Sequence, residues 1–253
     1  VTSDQLNWAI FCALTICVMS VKSASAQGGP PMITDDPGTP GNGKWENNIA
    51  IAFSHIPNEW SIETPQFDLN YGWGDHIQLN LQTAPTILKR SDHGPIGGLG
   101  ETELAVKWRF VDEDRSGFDM SMYPRVIFNI FQSSVRRGIA EDGTRFQIPF
   151  QIAKTFGRWH VDGEGGPLAS SVGRSEWLYG IVAGYDLGKP TMLMAELNGT
   201  SRMNFTRDTL TVNFGLRHQL AETRILILSF GHEIRSAGEP TALIGYFGVQ
   251  LLY

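Results

Sequence analysis

From Lys44 to Tyr253 the chain alternates apolar and polar residues in segments of about ten to fourteen residues separated by turn residues. Phe67, Leu69, Tyr71 and Trp73 fall on one face of an extended segment, and Gln66, Asp68 and Asn70 on the other. Ile77, Leu79 and Leu81 oppose Gln78, Asn80 and Gln82; Leu104, Val106, Trp108 and Phe110 oppose Glu101, Glu103, Lys107 and Arg109. The same holds for Phe146, Ile148, Phe150 and Ile152 against Arg145, Gln147 and Gln151, and for Leu210, Val212, Phe214 and Leu216 against Thr209, Thr211, Asn213 and Arg217. A helix, with its period of 3.6, would scatter these sets around its circumference.

A sheet with one apolar face and no helices to cover it packs as a sandwich or closes on itself in lipid. In hydrocarbon each unpaired backbone group costs several kcal/mol, so an open edge is not tolerated. The pattern predicts an all-β fold, a transmembrane antiparallel up-and-down barrel of about twelve strands. These are expected near 44–56, 60–72, 75–88, 99–112, 118–131, 145–156, 158–166, 176–187, 191–201, 208–220, 223–235 and 241–253. The weakest are the glycine-rich 158–166 segment and 223–235, whose phase is blurred by Ile225 and Ile227; a misread 158–166 would give ten or fourteen. Short turns are expected at 72–75, 155–158, 187–190 and 220–223, with a slightly longer one at 112–117. Longer links are expected at 89–98, 132–144 and 167–175, and both termini on the short-turn, periplasmic side. Trp45, Trp73, Trp108, Trp159 and Trp177, with Tyr71, Tyr179 and Tyr185, fall toward strand ends, where amphipathic rings suit the interface.

Ahead of the barrel (44–253) stand two segments. Trp8–Met19 is apolar but too short to cross a bilayer as a helix; with Ala24-Ser25-Ala26 behind it, it reads as a signal peptide over 1–26. Asp4 and the lack of Lys or Arg before the apolar run depart from that pattern, and a buried N-terminal helix is the alternative. Both cysteines, Cys12 and Cys17, lie in this segment, so cleavage leaves a chain without disulfide or thiolate chemistry. Residues 27–43 are dense in Pro and Gly. They form either a plug folded into the barrel mouth from the periplasmic side or a disordered tail.

With a net charge of −6 and a pI near 5.5, no basic field points to nucleic acid. By strand phase the lumen receives Glu46, Asp68, Glu101, Glu103, Lys107, Arg109, Arg125, Arg145, Asp162, Glu164, Asp186, Glu196 and Arg217. They read either as a solute path or as interior ion pairs that stiffen the barrel. His55, His76, His93, His160, His218 and His232 lie in no nucleophile motif, so no catalytic residue is assigned. The spacing of His160, Asp162 and Glu164 could present metal ligands from one strand, but lumen residues look the same; no metal or other cofactor is expected. The last strand places Phe247, Val249, Leu251 and Tyr253 on one face and ends on an aromatic ring, the form of signal read by outer-membrane assembly machinery. The partners expected are therefore outer-membrane lipid, that machinery and a small-molecule solute.

Several runs resemble a known family: PPMITDDPGTPGNGKWENNIA, FDLNYGWGDHIQLNL, GLGETELAVKWRFVDED, YPRVIFN and GEPTALIGYFGVQL. Across roughly 31–253 they look like proteobacterial outer-membrane barrels described as transporters or as "MetA-pathway of phenol degradation" proteins. Thr34-Asp35-Asp36-Pro37 and Lys107-Trp108-Arg109-Phe110 are the most specific pieces. The resemblance implies a Gram-negative outer-membrane barrel that passes small, hydrophobic or aromatic molecules, and carries over no catalytic residues. Transport would be passive, since no nucleotide-binding or hydride-transfer motif occurs. Two rivals remain. An outer-membrane hydrolase of lipid or peptide needs a Ser/His or Asp/His cluster at the outer rim, and a structural barrel needs a filled lumen with paired charges.

Overall fold

The computed structural model describes residues 29–188, 190–238 and 240–253. The expected signal peptide, with Cys12 and Cys17, and the start of the 27–43 segment lie outside the described residues. The strands are β1 (Trp45–Ile56), β2 (Glu59–Trp73), β3 (Ile77–Arg90), β4 (Ile96–Val111), β5 (Asp119–Met122), β6 (Arg125–Phe128) and β7 (Arg145–Gln147). They continue as β8 (Phe150–Phe156), β9 (Trp159–Ser170), β10 (Glu176–Gly188), β11 (Thr191–Arg202), β12 (Thr209–Ala221), β13 (Arg224–Ser236) and β14 (Leu243–Leu252).

Every neighbour pairs antiparallel, and β14 returns to β1 from Glu46 opposite Leu252 to His55 opposite Leu243, closing the barrel. Tyr253 N–H donates to the Trp45 carbonyl (3.0 Å) and Trp45 N–H to the Tyr253 carbonyl (3.1 Å), so the start of β1 and the last residue join at the seam. The barrel has twelve spans, because β5 with β6 and β7 with β8 are each one interrupted crossing.

The two interruptions fall at Tyr123-Pro124 and Ile148-Pro149, which the expected continuous strands 118–131 and 145–156 did not anticipate. Proline has no N–H to give the ladder. The carbonyls around it stay engaged: Tyr123 N–H donates to Pro149 O (2.9 Å), Val106 N–H to Pro124 O (3.0 Å) and Ile148 N–H to Pro167 O (3.1 Å). Gly166 makes room for this detour, since a Cβ there would sit 2.4 Å from the Ile148 carbonyl oxygen. The glycine-rich segment is thus a full wall strand, β9, paired with β8 and β10 and longer than the sequence suggested.

Alternation sorts the faces as expected. Leu79, Leu81, Leu104, Val106, Trp108, Phe150 and Ile152 are exposed outward, whereas Gln78, Asn80, Lys107 and Gln151 are buried inward. Ring pairs mark the end at which β1 begins and β14 finishes: Trp45 with Tyr71 (4.9 Å between centroids), Trp108 with Phe110 (5.4 Å) and Trp159 with Tyr185 (4.7 Å). Connections at this end are short; that after β4 is a helical turn, Glu113–Ser116, closed by Gly117 at φ 78°. The opposite end carries a two-residue turn at 57–58 and longer loops at 91–95, 129–144, 171–175 and 203–208, with a further link between β13 and β14. The expected links at 89–98 and 167–175 are shorter than read because β3, β4 and β9 extend into them, and the last two connections fall in the gaps that the expected strand bounds left. No helix among the described residues is long and apolar enough to cross a membrane.

Candidate functional site: the lumen and its N-terminal segment

Residues 29–43 enter the barrel from the short-turn end and lie along its inner wall. Near the mouth, Thr39 Oγ1 donates to the Asp75 carbonyl (2.8 Å) and Gly74 N–H to Asn42 Oδ1 (3.0 Å). Deeper, the Glu196 carboxylate of β11 accepts the backbone N–H groups of Ile33 (3.1 Å) and Thr34 (2.5 Å), and Glu164 of β9 accepts that of Asp35 (3.0 Å). Lys107 of β4 donates to Asp35 Oδ1 (3.1 Å) and the Asp36 carbonyl (2.6 Å). Arg217 of β12 reaches the Pro30 carbonyl (3.1 Å) and Ser229 of β13 the Pro31 carbonyl (2.8 Å). A segment rich in Pro and Gly builds no ladder of its own, so its polar backbone is satisfied by wall side chains instead.

Packing fits these bonds. Met32 is buried against Val182 and Met194, with Met192 beside them. Three wall glycines give the segment space: a Cβ at Gly72 would lie 1.9 Å from the Gly41 carbonyl oxygen, at Gly180 1.9 Å from Thr34 Oγ1, and at Gly215 2.1 Å from Met32 Cε. Burial pushes the Asp36 carboxyl above its ordinary range, and the Lys107 ammonium opposes that shift.

Around the segment the wall is polar. Asp68 accepts from the side-chain amides of Asn48 (2.8 Å), Asn70 (3.1 Å) and Asn80 (2.6 Å), tying β1, β2 and β3 together. Gln250 links Glu46 (2.7 Å) to Arg217 (2.5 Å). Arg125 pairs with Glu164 at 2.5 Å and lies over the Tyr123 ring, whose centroid is also 4.7 Å from Lys107 Nζ. Asp162 is buried on β9. A cavity of about 400 Å³ opens between the segment and the wall of β1–β4 and β13–β14, lined by Glu46, Asp68, Glu103, Lys107 and Arg125 among others.

Not every residue expected in the lumen joins this cluster. Arg109 sits at the short-turn rim, paired with Asp112 (3.1 Å) and donating to the Asp75 carbonyl (3.0 Å). Asp186 is partly exposed beside His160 (3.0 Å). Glu101 and Arg145 pair with each other near the loop end, where Arg145 also meets Glu141 (2.8 Å). Glu63 lines the cavity although phase alone did not assign it: the register shifts between Glu63 and Phe67, around Pro65, and turns an odd-numbered residue inward. Asp35 and Asp36 were missed because an irregular segment has no phase to read.

The histidines are dispersed. His55 contacts the Glu59 carbonyl, His93 pairs with Asp92 in a loop, His218 meets Thr191 and His232 the Ala242 carbonyl, while His76 and His160 lie at the short-turn end. No group of metal-ligating side chains occurs among the described residues.

No family model matches the sequence, and no curated protein matches it. Solved structures share the fold. An outer-membrane channel from Pseudomonas putida F1 aligns with a TM-score of 0.67 at 12% identity, over 84% of this chain and 96% of that one. The NanC porin aligns with a TM-score of 0.58 at 8% identity, over 81% and 98%. The CymD monoaromatic hydrocarbon channel aligns with a TM-score of 0.50 at 7% identity, over 84% and 89%. At such identities the likeness is one of fold, and the fold is that of a transmembrane β-barrel.

Proposed function

We propose that this protein is a channel of the Gram-negative outer membrane that passes small solutes by passive diffusion, its lumen narrowed by residues 27–43 acting as a plug from the periplasmic side. The observation that carries this reading is the cavity of about 400 Å³ left inside a closed barrel, between the N-terminal segment and a polar wall. A purely structural barrel would gain more by filling that space, since unfilled volume forfeits packing contacts. The solved barrels of like fold include porins and channels, which favours transport over catalysis. At the long-loop end His93 pairs with Asp92 alone, with no serine or third orienting group bonded to it among the described residues, which gives a rim hydrolase little support. The mixed lining, with Ile33, Ile244 and Tyr246 beside carboxylates, suits solutes with an aromatic or apolar body.

Phe247, Val249, Leu251 and Tyr253 are proposed to serve the assembly machinery, and both termini to face the periplasm. Liposome swelling tests the channel reading: vesicles holding the protein should admit small aromatic solutes faster than empty vesicles. Equal rates would overturn it.

A further inference from the structure

The cavity has a chemical bias that the channel reading alone does not require. Its lining carboxylates are Asp35, Asp36, Glu46, Glu63, Asp68 and Glu103; its cations are Lys107 and Arg125. Both cations are already engaged, Lys107 by Asp35 and the Tyr123 ring, Arg125 by Glu164 and the same ring. Among the described residues, Glu63 accepts one hydrogen bond, from Gln66 Nε2 (2.6 Å), and neither Glu63 nor Glu103 has a cation within ion-pair distance.

Tyr246, Ile244 and Ile33 line the same cavity and give it an apolar side.

We infer that this cavity binds amphipathic organic cations: an ammonium or amidinium group, met by Glu63 and Glu103, on a small aromatic or aliphatic body. A cationic guest between low-dielectric walls favours the ionised form of the carboxylates it meets, whereas a neutral or anionic one does not. An anionic solute would face them with no available cation. The inference rests on the reading of the lumen as a solute path, since a guest must reach the cavity.

The test is calorimetric titration of the folded protein in detergent with three probes of one size: 2-phenylethylammonium, 2-phenylethanol and phenylacetate. The ammonium is expected to bind at least tenfold more tightly than the alcohol, and the carboxylate more weakly than either. In a Glu63→Gln, Glu103→Gln variant, shown folded by its heat-modifiable gel mobility, the ammonium preference should fall to about threefold or less. Equal binding of the three probes, a preference for phenylacetate, or an ammonium preference untouched in the variant would overturn the inference. If that variant does not fold, the ranking of the probes by the native protein decides alone. Vesicle swelling with the same probes separates the two claims. Swelling without an ammonium preference in binding removes this inference and leaves the channel, whereas ammonium binding without swelling removes the channel and leaves the site.

Discussion

The side chain of Thr34 occupies the place a Cβ would take at Gly180: such an atom would lie 1.9 Å from Thr34 Oγ1 and 3.0 Å from the side-chain nitrogen of Asn198. Asn198 in turn donates to Thr34 Oγ1 at 3.2 Å. A residue from the irregular N-terminus and one from a transmembrane strand therefore share a seat that only glycine allows. Gly180→Val should expel Thr34 without disturbing the outward face of β10. We expect the variant to keep its heat-modifiable mobility while vesicle swelling rises several-fold; an unchanged rate would show that the segment does not limit the path.

Glu196 is the main backbone acceptor for the same segment, through Ile33 and Thr34, and also holds Asn213 at 3.0 Å. Hydrogen bonds to a charged acceptor contribute about 1.5–3 kcal/mol each. Glu196→Ala should therefore loosen the docked segment by about 2 kcal/mol or more, roughly a thirtyfold rise in amide exchange at Ile33 and Thr34. Exchange as slow as in the native chain would contradict the assigned role.

Docking should also respond to pH through Asp36. Its carboxyl is raised above the ordinary carboxylate value by burial in the docked state, so that state holds the proton more firmly than the undocked one. The stabilisation from protonation is complete below about pH 4, the ordinary value, and is lost as pH rises through the docked one. Solute flux is expected to be lower at pH 4 than at pH 7, and Asp36→Asn should reduce the difference. A flux that falls with rising pH, or a variant with the native profile, would count against it.

Tyr253 joins two roles that can be separated. Its backbone closes the seam with Trp45 by paired hydrogen bonds, and its ring ends the last strand. Tyr253→Ala retains the backbone bonds and removes the ring. If the ring is an assembly signal, the folded barrel in the outer membrane should fall several-fold while refolding of purified protein in detergent proceeds normally. Loss of both would assign the residue to stability instead.

The barrel was legible because lipid and lumen impose opposite demands on successive residues, so Leu79, Leu81 and Leu104 announce their face. The span count was legible for the same reason, even through the glycines of β9. What escaped the reading depends on neighbours distant in sequence. Pro124 and Pro149 break their strands together because the carbonyl of one break is taken up by the amide of the other. Glu63 turns inward because a bulge near Pro65 shifts the phase. The seating of residues 29–43 against Gly72, Gly180 and Gly215 has no periodic signature, since each glycine alone reads as ordinary strand punctuation.

The central claim is that solutes pass through a lumen narrowed by the N-terminal segment. Single-channel conductance in planar bilayers tests it most directly, comparing the chain from residue 27 onward with one lacking residues 27–43. The account predicts small, discrete openings for the longer chain and a several-fold larger, steadier conductance for the truncated one. No conductance from either, with no solute uptake by vesicles, would contradict it.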